Sequence, residues 1–191
     1  MSWAVEIVHG DARSFHGREL PSSVVPTVWW FEVDRPALVL GSAQDESVVD
    51  AAACERLGVD VVRRHSGGGA VLLVPGSVTW FDVIIPAGHP RWETDVSRAA
   101  WWVGGAVVDA IGDRSLAVHR GPMQPTEWSP LVCFAGLGPG EVTDAGRKVL
   151  GLSQRRTRSA IRYQCAVHRN WEPERLVPLL REPRPTVDVL A

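Results

Sequence analysis

Short runs of β-branched and aromatic residues, separated by Gly, Pro and Asp turn signals, extend along most of the chain. Such runs predict short strands. The predicted strands lie near Val5–Val8 and at Val28–Asp34, Ala37–Gly41, Val59–Arg64, Ala70–Val74, Val78–Ile85, Leu131–Gly136, Arg147–Arg156 and Ile161–Val167. Only Arg35-Pro36 separates the second strand from the third, which predicts a hairpin. A second hairpin is predicted within Glu141–Leu150, turning at Ala145-Gly146.

Three other segments have helical spacing of their apolar residues. Val48–Leu57 ends at Gly58, Asp95–Ile111 ends at Gly112, and Pro173–Leu180 precedes a Pro-rich tail. Because strands and helices do not alternate regularly, the pattern favours an α+β fold, a mostly antiparallel sheet flanked by helices. The 191 residues are expected to form one domain, residues 1–191, without an accessory C-terminal domain.

Composition narrows the class of protein. Hydrophobic residues make up 45% and charged residues 22%, as in ordinary globular proteins, and the net charge of −2 argues against a nucleic-acid binder. No apolar run approaches the roughly 18 residues of a membrane helix, and the N-terminus lacks a secretory signal pattern. Cys54, Cys133 and Cys165 form no C-x-x-C pair, so neither disulfides nor a metal site is expected. The prediction is a cytoplasmic protein without membrane association.

The first candidate site is the glycine-rich segment Arg63–Val71, which lies between two predicted strands. Successive glycines suit a backbone that approaches a ligand closely, and their N–H groups can hold an anion or a carbonyl. Arginine is a natural partner for carboxylate or phosphate. The alternative is a flexible hairpin loop with solvated arginines. The candidate binding residues are Arg63, Arg64, Ser66, Gly67, Gly68, Gly69 and Ala70.

The second candidate site is the segment Gly146–Arg156, which contains Lys148, the only lysine in the sequence. A compact ammonium can stabilise negative charge that develops on an acyl carbonyl or a phosphate. Strand alternation predicts that Lys148, Leu150 and Leu152 share one face, and that Val149, Gly151 and Ser153 share the other. Gly151, Ser153 and Gln154 are the candidate binding residues. The alternative is a solvated lysine at a strand edge.

Cys133 lies in an apolar run that leads into a Gly/Pro-rich loop. From the residues alone, a small buried hydrophobe is the favoured interpretation. The alternative is an acyl nucleophile, because a thiol near arginines and a lysine ionises more readily.

The two segments, in this order, resemble the lipoate/biotin protein ligase family. The family signature is R-R-x-S-G-G-G-A-V followed by G-x-K-h-x-G-x-(S/A)-Q-x-R, where h is apolar, and Arg63–Val71 and Gly146–Arg156 match it. Leu38–Gln44 also resembles the family's segment upstream of the glycines. The resemblance implies the α+β catalytic-domain fold of that family and a hydrophobic tunnel for an eight-carbon acyl chain. It also implies that Lys148 holds the acyl carboxylate or thioester carbonyl.

Two chemistries occur in that family. Ligases activate lipoate or octanoate with ATP and Mg²⁺ to an acyl-adenylate, whereas octanoyltransferases move octanoyl from acyl carrier protein, some through a cysteine and without a cofactor. The first hypothesis is a lipoate–protein ligase A-like enzyme. The second is an octanoyltransferase with Cys133 as nucleophile, since the segment around Cys133 resembles that of the cysteine-dependent transferases. The third is a non-catalytic lipoate-binding relative. The implied acceptor is a lysine on a lipoyl carrier domain of an oxo-acid dehydrogenase or of the glycine-cleavage system.

Overall fold

The computed structural model describes residues 2–20 and 25–190, and it contains ten strands in two sheets. The strands are β1 (Ala4–Gly10), β2 (Thr27–Val33), β3 (Ala37–Leu40), β4 (Asp60–Arg63), β5 (Val71–Leu73), β6 (Val78–Pro86), β7 (Leu116–Val118), β8 (Val142–Asp144), β9 (Arg147–Arg156) and β10 (Ala160–His168). The helices are α1 (Ala12–Gly17), α2 (Ala51–Arg56), α3 (Val96–Ala99), α4 (Trp101–Ile111), α5 (Pro173–Leu176) and α6 (Val187–Leu190). Three short 3₁₀ helices lie at Glu46–Val48, Cys133–Ala135 and Val177–Leu179.

The larger sheet has seven strands in the order β1-β2-β6-β10-β9-β8-β7. Its only parallel pair is β1 with β2, and the other neighbours are antiparallel. The smaller sheet has the order β4-β3-β5, with β3 parallel to β4 and antiparallel to β5. The predicted α+β fold with a mostly antiparallel sheet and flanking helices is therefore confirmed.

The described residues form four packed layers. One apolar cluster joins the two sheets and includes Phe15, Phe31, Val39, Leu73 and Trp80. A second cluster lies on the other face of the small sheet, against the C-terminal helices, and a third packs α4 onto the other face of the large sheet. None of the helices in the described ranges combines the length and apolar character that a membrane crossing requires.

The hairpin predicted from Val28–Asp34 and Ala37–Gly41 does not form, because the two strands belong to different sheets. All four residues of β3 are buried, so this strand needs apolar partners on both faces and takes the centre of the small sheet. The hairpin at Ala145-Gly146 is confirmed. Ala145 and Gly146 have φ of 46° and 85°, the left-handed conformation that a two-residue hairpin turn requires.

The predicted strand Leu131–Gly136 is wrong. Its centre is the 3₁₀ helix Cys133–Ala135, preceded by a single bridge between Val132 and Ala70. An apolar run of six residues suits a buried strand and a buried turn equally well. The predicted helix Asp95–Ile111 is divided at Ala100 into α3 and α4, and the short helices α1 and α6 were not predicted.

Candidate active site

A cavity of about 470 Å³ opens between the two sheets. Its walls include several of the residues singled out in the sequence, namely Arg64, Gly67, Gly68, Gly69, Cys133, Lys148, Gly151, Ser153 and Gln154. The two motifs, which are about eighty residues apart in the sequence, thus meet at one cavity. Arg63, Ser66 and Ala70 do not line it.

Lys148 and Cys133 face each other in the cavity wall. The Lys148 Nζ lies 3.9 Å from the Cys133 Sγ, and it donates hydrogen bonds to the Cys133 carbonyl oxygen at 2.8 Å and the Gly136 carbonyl oxygen at 3.1 Å. It also forms an ion pair with Glu141 at 2.7 Å. The side chains of Lys148 and Glu141 are only 6% and 5% exposed, so this pair is held out of water.

Glu141 fixes this arrangement and was missed as a site residue in the sequence. Its Oε1 accepts from the Leu152 N–H at 3.0 Å, and its Oε2 accepts from the Gly138 N–H at 2.6 Å. The carboxylate therefore connects the loop after Cys133 with β9. The signal that could have found it is the acidic residue that ends the Gly/Pro-rich loop after Cys133 and begins the lysine hairpin, since a buried carboxylate needs a cation beside it.

The strand alternation predicted for β9 is wrong at Lys148. Val142 and Thr143 on β8 pair with Leu150 and Lys148 on β9, so Val149 is an extra residue and the register shifts there. Such a bulge inverts the facing of the residues that precede it. A Cβ placed on Gly151 would lie 3.5 Å from the Lys148 Cε and 3.0 Å from the Phe134 ring, which puts Lys148 on the cavity face with Gly151.

The glycine-rich loop contacts the segment that carries Cys133. Cys133 N–H donates to the Ala70 carbonyl, and Ala70 N–H donates to the Leu131 carbonyl. A Cβ on Gly69 would lie only 2.5 Å from the Val132 carbonyl carbon and 2.7 Å from the Cys133 nitrogen, so the close approach requires glycine there. Ala70 accordingly acts through the backbone of the Cys133 segment.

Both arginines bind main-chain oxygens. The buried Arg64 donates to the carbonyls of Val39, Gly67 and Gly69, and burial lowers the pKa of its guanidinium. None of the described residues accepts a hydrogen bond from the N–H groups of Gly67, Gly68 or Gly69. These three residues of the cavity wall therefore have unpaired donors. Arg63 points elsewhere and contacts the carbonyls of Gly41 and Gln44 and the carboxylate of Glu46.

A row of polar side chains crosses the large sheet at the cavity. Ser153 and Ser66 are joined by a 2.9 Å hydrogen bond, Ser66 donates to the Gln164 Oε1 at 3.0 Å, and the Gln164 amide bonds the His16 Nδ1 at 3.2 Å. Ser66 thus acts behind the wall and positions Ser153. Burial, followed by the nearby charges of Arg64, Arg162 and His65, lowers the pKa of His16 to about 3.

His16 and Gln164 were not singled out in the sequence, because His16 lies on the unpredicted helix α1 and Gln164 within a long strand. A buried ion pair holds that helix in place. Arg162 bonds the Asp82 carboxylate at 2.6 Å and donates to the carbonyls of Phe15 and Arg18. Desolvation raises the pKa of Asp82 to about 6, against the opposing effect of Arg162.

The family described as "Lipoyl protein ligase A/B catalytic domain" matches residues 16–188. The chain belongs to this lipoyl protein ligase A/B family. The resemblance carried by the glycine-rich and lysine motifs is therefore confirmed.

Curated relatives within this family include octanoyltransferases LipM. The protein from Carboxydothermus hydrogenoformans is 31% identical over 134 residues, which cover 68% of this chain and 48% of the relative. The protein from Geobacillus kaustophilus is 27% identical over 172 residues, which cover 86% of this chain and 61% of the relative. The chain thus spans about half to three fifths of the length of these relatives.

Solved structures show the same fold at lower identity. A bipartite lipoate protein ligase from Thermoplasma acidophilum, described with its E2 lipoyl domain, has a TM-score of 0.73 and 18% identity, covering 96% of this chain and 68% of that chain. Lipoate-protein ligase A bound with ATP has a TM-score of 0.70 and 15% identity, covering 100% of this chain and 81% of that chain. These likenesses establish the lipoyl protein ligase fold for this chain.

Proposed function

We propose that this protein transfers an octanoyl or lipoyl group to a lysine of a carrier protein, and that Cys133 carries the acyl group between donor and acceptor. The observation that carries the proposal is the position of the Cys133 Sγ in the cavity wall, 3.9 Å from the Lys148 Nζ. The similarity to octanoyltransferases LipM supports the same chemistry.

In the first step, the Cys133 thiolate attacks the carbonyl carbon of a donor thioester. A carbon–sulfur bond forms to Cys133, the bond to the donor sulfur breaks, and the donor leaves as a thiolate that takes up a proton. The negative charge that develops on the carbonyl oxygen needs donors beside it. Gly67, Gly68 and Gly69 in the cavity wall offer N–H groups that have no acceptor among the described residues. Lys148 adds its positive charge, since its ammonium already bonds the Cys133 and Gly136 carbonyls and Glu141.

In the second step, the neutral amine of the acceptor lysine attacks the Cys133 thioester. An amide bond forms, the carbon–sulfur bond to Cys133 breaks, and the nitrogen loses a proton while the Cys133 thiolate is regenerated. The acceptor that we propose is a lipoyl carrier domain of an oxo-acid dehydrogenase or of the glycine-cleavage system. The donor is acyl carrier protein.

The cavity floor has the dimensions of an eight-carbon chain. Gly151, Ala166 and Trp80 are direct neighbours on β9, β10 and β6, so two strand spacings, or about 10 Å, separate Gly151 from Trp80. An extended octanoyl chain has seven carbon–carbon bonds of about 1.5 Å and spans a similar length. The acyl chain would run from Cys133 across the sheet to Trp80 and Leu73.

The second candidate is the ATP-dependent ligase reaction. The free N–H groups of the glycine-rich loop favour it, because such groups also bind phosphate. In that reaction ATP and Mg²⁺ would supply the activation, and Lys148 and the glycine-rich loop would hold the acyl carboxylate. Cys133 would then have no covalent role, and this difference separates the two candidates experimentally.

The test is intact-mass spectrometry after incubation with octanoyl-acyl carrier protein. We expect one octanoyl adduct in the wild type and in Cys54→Ser, and none in Cys133→Ser. Cys54 is the matched control because it is buried on α2, away from the cavity. If no adduct forms and transfer from octanoate to a carrier domain needs ATP, the ligase replaces this proposal. If neither donor gives product while lipoate still raises the Tm, the protein is a non-catalytic binder.

A further inference from the structure

The mouth of the cavity has two lips that project into solvent. Val96 and Ser97, at the start of α3, form one lip, and Pro122 and Met123 form the other. Val96 is 55% exposed and Met123 is 52% exposed. Large apolar side chains in this position are available for contact with a partner that reaches into the cavity.

Two arginines flank these lips and converge on one aromatic ring. The guanidinium carbons of Arg98 and Arg120 lie 5.6 Å and 5.8 Å from the ring centroid of Trp101, the first residue of α4. Contact with an aromatic ring limits the motion of a guanidinium and leaves its N–H donors available. We call Val96, Arg98, Trp101, Arg120 and Met123 the basic rim.

The basic rim is positive in a chain whose net charge is −2. Both arginines are exposed. Glu93 lies 3.9 Å from the Arg98 Nε, and Asp95 caps α3 through the N–H groups of Ser97 and Arg98, so both carboxylates lie on the side of Arg98. Arg120 has no carboxylate within salt-bridge distance in the part of the chain that the structure describes. Arg120 therefore supplies the unpaired positive charge of the rim.

The lip that carries Arg120 is fixed to the candidate active site. His119 exchanges backbone hydrogen bonds with Gly140 and Glu141, and its ring bonds the Pro122 carbonyl oxygen at 2.7 Å. Glu141 in turn holds Lys148. A partner that docks on the rim is thus placed at a defined distance from Cys133.

We propose that the basic rim is the docking surface for the carrier protein that delivers the acyl thioester, and that this carrier has an acidic face around its acyl-bearing arm. The inference rests on the proposed function, since it assigns the partner of that same cavity. Charge complementarity identifies the partner as acidic, because opposite charges steer the encounter and like charges suppress it. The apolar lips would contact the base of the arm as it enters.

The test compares a protein-borne donor with a small neutral one. We expect Arg98→Glu combined with Arg120→Glu to lower kcat/KM for Cys133 loading from octanoyl-acyl carrier protein about tenfold or more at low salt, with a weaker salt dependence than the wild type. Loading from the N-acetylcysteamine thioester of octanoate should stay within about twofold, because that donor carries no charge. Arg114→Glu is the matched control for the single variants Arg98→Glu and Arg120→Glu, since it makes the same charge change as each of them beyond the far end of α4.

The outcomes separate this proposal from the proposed function. The docking surface would be overturned if the double variant kept the wild-type ratio of kcat/KM between the two donors. A loss of kcat/KM for octanoyl-acyl carrier protein in Arg114→Glu as large as in the single rim variants would overturn it as well. Either result would leave Cys133 chemistry intact. Absence of loading by either donor in the wild type would overturn the proposed function instead. In that case, calorimetric titration with unacylated acyl carrier protein still decides the docking. Wild-type binding that the double variant retains at low salt would contradict it.

Discussion

The Lys148 ammonium contacts both the sulfur and the carbonyl oxygen of Cys133, at 3.9 Å and 2.8 Å. One side chain thus places a positive charge beside the proposed nucleophile and also holds the backbone turn that presents it. Loss of activity in a simple Lys148 variant would therefore have two explanations. The ion partner Glu141 offers a way to separate them.

We expect Lys148→Met to abolish Cys133 loading and to lower the free energy of unfolding by about 3–5 kcal/mol, because it leaves the buried Glu141 carboxylate without its cation. Combining it with Glu141→Gln removes both charges and should restore most of that stability. Urea unfolding measures the stability, and intact mass measures loading. Loading within a few-fold of wild type in the double variant would remove Lys148 from the chemistry and leave it a structural role.

Gly69 should be the glycine of the loop that tolerates a side chain least. A methyl group there would lie 2.5–2.7 Å from the main chain of Val132 and Cys133, so Gly69→Ala must displace the nucleophile turn. We expect a loss of stability of about 1–3 kcal/mol and a large loss of loading. The matched control is Gly67→Ala, where a Cβ meets nothing within 4 Å. Its unfolding midpoint should match the wild type, and equal effects in the two variants would contradict the close-approach argument.

Ala166 is the position from which the cavity can be shortened. It lies between Gly151 and Trp80 on the cavity floor. Ala166→Leu should therefore block an octanoyl chain and admit a butyryl chain, with more than a tenfold shift in the ratio of their loading rates from N-acetylcysteamine thioesters. Val167→Leu enlarges the next residue, which faces the opposite side of the sheet, and should leave the ratio unchanged. An unchanged ratio in Ala166→Leu would mean that the chain does not cross this floor.

The sequence motifs identified the part of the site whose residues lie close together along the chain. Gly67–Gly69 and Lys148 lie in two continuous motifs, and the cavity brings both together. The face of β9 on which Lys148 lies could not be predicted, because Val149 is an extra residue only in comparison with the residues of β8 that pair with β9. A bulge is a property of two paired strands, and the sequence of one strand does not contain it.

Long-range contacts explain the other missed features. His16 belongs to the site through Gln164, 148 residues away, and its helix of six residues is too short to show a helical period. The Cys133 segment forms a turn because Ala70 and Lys148 hold its main chain. The hairpin between β2 and β3 failed for a related reason, since β3 pairs with strands that come later in the chain.

The buried His16 should lower the free energy of unfolding as the pH falls. Its pKa is about 3 in the fold and about 6.5 in the unfolded chain, so between these values the unfolded state binds the extra proton. The free energy of unfolding should then fall by up to about 1.4 kcal/mol per pH unit from this group. Asp82 acts in the opposite direction, because its pKa of about 6 in the fold lets the native state bind a proton below that pH.

His16→Phe isolates the contribution of the histidine, because it retains a ring to pack on Trp80, which lies 4.5 Å from the His16 ring, and cannot take up a proton. From pH 7 to pH 5, the wild type should lose about 2 kcal/mol relative to this variant, as measured by urea unfolding at each pH. Asp82 is present in both proteins, so its opposing contribution cancels in the comparison. Parallel stability profiles for the two proteins would show that His16 takes up its proton as readily in the fold as in the unfolded chain, which its burial beneath Arg64 and Arg162 argues against.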